Sequence, residues 1–244
     1  MATLSVTGAR WSPERVFYLS MTLAIALSVY VGFARSFFLR PLFPTWPSPA
    51  EPVIYLHGAL FSSWCVLLVV QSSLVTAGRT HVHRRLGVWG TGLAASMVAL
   101  GTHAALVAAR RPSGFVGVPV PALQFLAVPL FDMVLFGSFV TLAVVWRRDP
   151  QAHKRWMLLA TLNLVTAAIA RWPGVMGGSP LVYFLLTDLF LVPLVLWDRK
   201  TRGRVHPATA WGGALIVVSH PLRLAVSAST AWLALAGWLV RSPL

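Results

Sequence analysis

Long apolar runs alternate with short basic segments along this chain. A run of about 20 apolar residues can cross the hydrocarbon core of a bilayer as an α-helix. The sequence therefore predicts an all-α, polytopic integral membrane bundle, a single transmembrane domain over residues 1–244. The predicted spans cover roughly residues 16–38, 53–76, 88–109, 122–146, 156–174, 180–197 and 208–226, seven in all. The shorter apolar segment 229–240 predicts a helix that lies along the membrane interface.

The composition excludes the soluble classes of protein. Hydrophobic residues make up 57% of the 244 residues and charged residues only 11%, whereas an ordinary globular chain is about 25% charged. The single cysteine, Cys65, excludes an intrachain disulfide and any centre held by several cysteines. A cytosolic enzyme, a secreted disulfide scaffold and a disordered tail are all inconsistent with these numbers.

The basic residues are distributed unevenly between the two sides of the predicted bundle. The net charge is +14, and 13 of the 20 lysines and arginines fall at the N-terminus or in the segments after spans 2, 4 and 6. Cytoplasmic loops carry the excess of lysine and arginine in membrane proteins. The sequence thus predicts a cytoplasmic N-terminus, and anionic lipid headgroups rather than nucleic acid as the partner of the cytoplasmic face.

Several ionisable side chains lie inside the predicted spans, where they are costly and therefore point to function. With the predicted orientation they gather toward the outer leaflet. The set is His57, His103, Asp132, Arg171, Asp188, His220 and Arg223. A purely structural interpretation is also open: Asp132 would pair with Arg171, Asp188 would pair with Arg223, and the arginines near span ends would reach the interface.

Haem b is the most specific cofactor that these residues suggest. Membrane b-type cytochromes hold the iron between two imidazoles on facing helices. His57 and His103 have similar predicted depths on consecutive antiparallel spans, and His220 is a competing second ligand. The same three histidines are the candidate ligands of another metal. In the haem interpretation, Arg171 and Arg223 would balance the propionates, while the buried Asp132 and Asp188 would relay protons. No residue is assigned a catalytic role, and whether the protein is an enzyme stays open.

A second set of histidines stands among basic residues just before spans 3, 5 and 7. His83, His153 and His206 sit at predicted helix N-termini, which attract anions such as a lipid phosphate. Three imidazoles and a water could also bind zinc at the cytoplasmic face, although the neighbouring arginines disfavour a divalent ion. Simple contact with lipid headgroups is the third interpretation of this set.

The order of these motifs resembles that of bacterial polytopic membrane protein families that carry domain-of-unknown-function labels. The resemblance is carried by His57 and Gln71, then by the blocks HRRLG (83–87) and HKRWM (153–157). It covers roughly residues 50–175 and implies a multi-pass protein of the bacterial inner membrane. The chain is also distantly similar to helical-bundle haem membrane proteins.

These observations leave three functions open. The first is a membrane redox protein with haem b or a metal near the outer leaflet. The second is a small transporter or channel that uses the buried Asp, Arg and His side chains. The third is a non-catalytic subunit or assembly factor that binds partner membrane subunits, with 229–240 as its contact segment.

Overall fold

The computed structural model describes residues 12–47 and 51–242, which fold into helices with no strand among them. A π-helical turn, Ala34–Phe38, and a short 3₁₀ turn, Arg40–Leu42, follow the first helix. The α-helices are α1 (Pro13–Phe33), α2 (Pro52–Thr76), α3 (Thr80–Arg110), α4 (Ala122–Phe125), α5 (Ala127–Val145), α6 (Pro150–Leu164), α7 (Thr166–Ile169), α8 (Pro180–Asp188), α9 (Leu191–Arg202), α10 (Pro207–Ser227) and α11 (Thr230–Arg241).

Many of these helices begin at a proline, because proline at the first helical position loses no hydrogen bond and has a helical φ already. This holds for α1, α2, α6, α8 and α10. The preceding residue often caps the helix. Ser12 accepts from the backbone N–H of Arg15, and Asp149 accepts from those of Gln151 and Ala152. At the other end of α9, Gly203 has φ of 70°, the left-handed conformation that ends a helix without a Cβ clash.

Two helical segments are interrupted four residues before a proline. Proline lacks the N–H that would bond to the carbonyl four residues earlier, and its ring crowds that carbonyl. Pro193 leaves the carbonyl of Leu189 without this partner, and the helix breaks there between α8 and α9. Pro129 does the same to Phe125, the last residue of α4. The gap between α6 and α7 at Val165 has no such proline.

The helix α6 lies at the centre of the bundle. Leu158, Leu159 and Leu162 on this helix are at most 1% exposed. It packs against α1, α5 and α10, while α2 and α3 pair with each other on one side. Only 11% of the apolar part of α2 is buried, and its indole Trp64 reaches inward to donate to the Thr161 hydroxyl at 3.1 Å. The structure therefore places the least apolar of the predicted spans in the protein interior and leaves the most apolar faces outside.

The two ends of the bundle can be recognised by contacts between distant segments. At one end, Lys154 Nζ lies 2.5 Å from the carboxylate of Glu14. At the other, Arg111 Nε lies 2.5 Å from the carboxylate of Glu51. We call the first the basic end, which contains residues 77–79, 146–149 and 203–206, and the second the opposite end, which contains residues 111–121 and 170–179.

Within residues 12–47 and 51–242, five helical segments are long and apolar enough to cross a membrane: Pro13–Phe38, Pro52–Thr76, Thr80–Arg110, Ala122–Val145 and Pro180–Arg202. The α10–α11 pair makes a sixth when it is counted as one span, although its two parts are bent by 82°. The predicted span 156–174 falls on α6 and α7. Neither helix is among the segments named above, because α6 has only 15 residues and carries Lys154 and Arg155 near its start. A helix is present at Thr230–Arg241, and its location along the interface stays a prediction.

Candidate functional site

A buried ion pair lies between α5 and α10. Arg223 Nη1 donates to Asp132 Oδ1 at 2.6 Å, and the two side chains are 0% and 9% exposed. Ser219, one turn earlier on α10, accepts from Arg223 Nε through its carbonyl and from Nη2 through its hydroxyl. The rings of Phe131 and Phe184 lie within 6 Å of the guanidinium carbon. Most of the guanidinium donors therefore have acceptors, and aromatic rings lie beside the group, which offsets the cost of its burial.

A second, looser pair adjoins the first. His220 Nδ1 lies 3.4 Å from Asp188 Oδ2, and the His220 ring stacks on Phe184 with centroids 4.2 Å apart. Neither His220 Nδ1 nor Asp188 Oδ1 has a hydrogen-bond partner among the described residues, although both atoms are buried. The Asp188 side chain is still 21% exposed. This pair thus combines two titratable groups with unused hydrogen-bonding capacity.

The interruptions in two helical segments meet beside these pairs. Asp188 is the last residue of α8, directly before the break, and Thr187 contacts Thr166 through their hydroxyls at 2.9 Å. Thr166 begins α7, directly after the break at Val165. Asn163 donates to the backbone carbonyl of Asp132 at 3.0 Å, while its Oδ1 is buried and has no hydrogen-bond partner in the part of the chain that the structure describes. We name Asp132, Asn163, Asp188, Ser219, His220 and Arg223 the helix-break cluster.

Chemically, this cluster can hold and pass a proton. The Asp132–Arg223 pair is held by several hydrogen bonds, so its two side chains have fixed positions on one side of the cluster. Asp188 and His220 each carry a titratable group, and the Asp188 side chain is partly exposed at the surface of the bundle. Broken helices that meet at buried charges are the usual construction of ion and substrate sites in membrane transporters.

The structure pairs the sequence-predicted charges differently from the structural pairs that we considered. Asp132 contacts Arg223 rather than Arg171, and Asp188 contacts His220 rather than Arg223. The reason is that α10 packs against both α5 and α8, which no sequence pattern reveals. Arg171 instead donates to the carbonyl of Ala167 at 2.6 Å and lies 4.9 Å from the ring of Phe33.

The three outer histidines are not gathered at one point. His57 on α2 packs against Phe61 with ring centroids 4.1 Å apart. Its Nδ1 is buried and has no hydrogen-bond partner within the described residues. His103 is half-buried on α3. Over residues 12–47 and 51–242, no group of three or more His, Cys, Asp or Glu side chains could hold a metal ion. The set His57, His103 and His220 therefore does not form such a group.

The histidines of the basic end separate into a pair and a cap. The rings of His83 and His153 lie edge to face with centroids 6.1 Å apart. His206 stands apart as the N-cap of α10, where its Nδ1 accepts from the N–H of Ala208 at 3.0 Å. Burial of the His206 ring, assisted by the positive charges of Arg155 and Arg202, lowers its pKa below 6.5. The neutral ring is the form that can accept this bond.

A fully buried ion pair at the basic end was missed by the sequence analysis. Arg155 donates through Nε and Nη2 to the carboxylate of Asp198, and both side chains are 0% exposed. Asp198 also accepts from the Thr209 hydroxyl at 2.6 Å and from the backbone N–H of His206 at 3.0 Å. Both charges lie close to predicted span ends, where they read as residues that face solvent. The sequence feature that could have indicated this pair is Asp198 itself, an acidic residue in a predominantly basic segment.

No family model, curated protein or solved structure matches this chain. The interpretation of the site therefore rests on the residues and contacts described above.

Proposed function

We propose that this protein is a multi-pass membrane protein of the bacterial inner membrane that moves protons through the helix-break cluster. The observation that carries the proposal is the Asp188–His220 contact at the end of α8, beside the buried Asp132–Arg223 pair. Ionisable groups inside a membrane are retained where they bind or relay ions. The predicted cytoplasmic location of the basic end follows from the asymmetry of its lysines and arginines.

The roles of the cluster residues follow from their contacts. Asp188 and His220 exchange the proton, since these two groups have titratable atoms without a complete set of partners. Arg223 and Asp132 fix the position of α10 against α5. The positive charge of Arg223 also repels other cations from the cluster. Asn163, with its buried Oδ1 unpaired, offers an acceptor for a proton-carrying water beside Asp132.

The test is proton flux into vesicles. Purified protein is reconstituted with a trapped pH-sensitive dye, and a potassium diffusion potential of either sign drives proton movement. We expect wild-type vesicles to change pH faster than empty ones, and Asp188→Asn and His220→Gln to lower the rate by at least about tenfold, as loss of a proton-transfer group does. Glu51→Gln, which neutralises a carboxylate at the opposite end, is the matched control and should keep the wild-type rate. Equal rates in wild-type and empty vesicles would overturn the proposal.

A haem protein is the second candidate. The observation that favours it is the buried Nδ1 of His57, which has no hydrogen-bond partner among the described residues. A buried polar atom without a partner calls for an explanation such as a redox role or an absent ligand. His57 and His103 lie on α2 and α3, which pack against each other, and together they would supply the two imidazoles of haem b. A reduced-minus-oxidised absorption spectrum of protein expressed with ample haem should then show a Soret band that is lost in His57→Ala and His103→Ala. A colourless preparation would contradict this candidate.

A further inference from the structure

A pair of imidazoles lies at the basic end, outside the helix-break cluster. His83 is in the first turn of α3 and His153 is in the first turn of α6. Their rings are nearly perpendicular, at 83°, with centroids 6.1 Å apart. Two helices from distant parts of the chain thus bring the histidines of the HRRLG and HKRWM motifs next to each other in an edge-to-face arrangement.

Hydrogen bonding leaves a free lone pair on this pair of rings. His153 Nδ1 lies 2.8 Å from the carbonyl oxygen of Ala143. A carbonyl only accepts, so Nδ1 carries a hydrogen, and in the neutral ring the lone pair is then on Nε2. On the other ring, His83 Nδ1 is buried and has no hydrogen-bond partner among the described residues. A buried imidazole nitrogen without a partner is costly unless something outside the chain satisfies it.

A third acceptor adjoins the two rings. Gln71 Oε1 on α2 is also buried and has no hydrogen-bond partner among the described residues. The Gln71 amide lies over Gly87, where an added Cβ would be 3.6 Å from Nε2, and Gly87 is one helical turn after His83. The His83 ring interacts with the main chain of Gln71 as well. Gln71 on α2 and His153 on α6 therefore both lie beside His83 on α3.

We propose that His83 and His153 bind a first-row transition-metal ion of the zinc class, with the Gln71 amide oxygen as an auxiliary ligand. Imidazole nitrogens bind such ions at about 2.0–2.1 Å. In tetrahedral coordination two such nitrogens are about 3.3 Å apart and their ring centroids about 5 Å apart, which is about 1 Å closer than the two rings lie in this structure. The observed separation is 6.1 Å. Water completes the coordination, as in metal sites that keep an open position.

The surrounding arginines limit the affinity without preventing binding. Arg79, Arg84 and Arg85 are exposed, so water and salt screen their charges. His206, which the sequence analysis grouped with His83 and His153, is not needed because it caps α10. The site requires two histidines and an amide, so it differs from the groups of three His, Cys, Asp or Glu side chains that the described chain lacks.

The inference does not rest on proton transport. His220 is 13 residues beyond Pro207, the start of α10 at the basic end, which is about 20 Å along a helix at 1.5 Å per residue. Zinc binding measured on the purified protein is therefore separable from proton flux measured in vesicles. Failure of one experiment leaves the other interpretable.

The experiment titrates chelator-treated, detergent-purified protein with Zn(II) and measures stoichiometry and affinity. We expect one equivalent per chain, with affinity reduced more than about tenfold in His83→Gln and in His153→Gln, since loss of even a supporting group at a metal site has such effects. His81→Gln is the matched control, because His81 is an exposed histidine two residues from His83, and its affinity should stay that of the wild type. Gel filtration of each variant verifies the fold.

A second measurement distinguishes metal bound by His83 and His153 from metal bound by exposed histidines elsewhere on the surface. Cu(II) bound at the site should show electron paramagnetic resonance hyperfine coupling to nitrogen, and this coupling should be lost in His83→Gln but not in His81→Gln. The proposal is overturned if the wild type binds no Zn(II). It is equally overturned if His81→Gln weakens binding as much as His83→Gln does.

Discussion

At the scale of single residues, the strongest constraint on stability is the buried Arg155–Asp198 pair. Asp198→Asn would remove the countercharge and leave a fully buried guanidinium uncompensated. Removing one partner of a buried pair costs about 3–5 kcal/mol. We expect this variant to lose its fold at a much lower temperature, measured as the fraction that stays monodisperse after heating in detergent.

The control for that variant is a pair of similar composition that is open to solvent. Lys154 and Glu14 lie 2.5 Å apart, with side chains 22% and 42% exposed, and such surface pairs contribute about 0–1 kcal/mol. Lys154→Met should therefore change thermal stability little. An equal loss in Lys154→Met and Asp198→Asn would show that burial is not the source of the difference.

His206 predicts a dependence of stability on pH. Its pKa in the folded protein lies below its ordinary 6.5, so the unfolded chain takes up this proton first. Stability from His206 is therefore complete above about pH 6.5 and is lost as the pH falls below that value. Protonation also blocks the bond that Nδ1 accepts from Ala208. Unfolding should be measured between pH 8 and pH 5.

The comparison for this prediction is His206→Asn, because asparagine also caps a helix but does not titrate in this range. The variant should lose less stability than the wild type as the pH falls from 7.5 to 5. Identical slopes in the two proteins would assign the pH dependence to other groups.

Sequence patterns identified some of the residues that matter but not their partners. Asp132, Asp188, His220 and Arg223 stand out because charge is rare inside apolar runs, and the structure brings these four together. Their pairing depends on the rotation of α10 about its axis, which one sequence does not encode in a readable way. Arg155 was overlooked because charge near a span end usually faces water, whereas here a buried carboxylate meets it.

At the scale of elements, proline explains what was predictable. Prolines define many of the helix starts, and Pro193 gives the break beside Asp188. The break at Val165 has no such mark, so the continuous span 156–174 could not have been divided from the sequence. It arises where α7 turns to pack against α1 and α8. The contribution of Asn163 to the helix-break cluster, and the contact between Thr166 and Thr187 beside it, were unpredictable for the same reason.

The contact between α1 and α7 depends on Gly32. A Cβ at this position would lie 2.8 Å from the Cα of Ala168, so Gly32→Ala must push the two helices apart. Overpacking of this kind costs about 1–3 kcal/mol. Gly92 on α3 is the matched glycine, because nothing lies within 4 Å of an added Cβ there. Gly92→Ala should gain about 0.5–1 kcal/mol from helix propensity. Heating both variants in detergent should shift their stabilities in opposite directions, and a stable Gly32→Ala would refute the close approach.

At the scale of the whole molecule, α6 and α7 decide how many times the chain crosses the membrane. Together they run from residue 150 to residue 169, which is about 30 Å of helix and equals the thickness of the hydrocarbon core. Length and apolarity alone do not mark them as a span, because Lys154 and Arg155 lie near the start. Lys154 pairs with Glu14 at the basic end, and Arg155 pairs with Asp198 inside the bundle, so neither charge faces lipid. A central helix shielded by its neighbours does not need the apolar surface that identifies a lipid-facing one.

We therefore expect the two ends of the α6–α7 segment to lie on opposite sides of the membrane. Arg148 and Met176 are exposed residues that flank the segment, and each can be changed to cysteine in a Cys65→Ser background. On intact cells, a membrane-impermeant maleimide should label Met176→Cys at once and Arg148→Cys only after permeabilisation, since the basic end is predicted to face the cytoplasm. Labelling of both positions on intact cells would show that α6–α7 does not cross. The reverse pattern would keep the crossing but place the basic end, with His83 and His153, outside the cell.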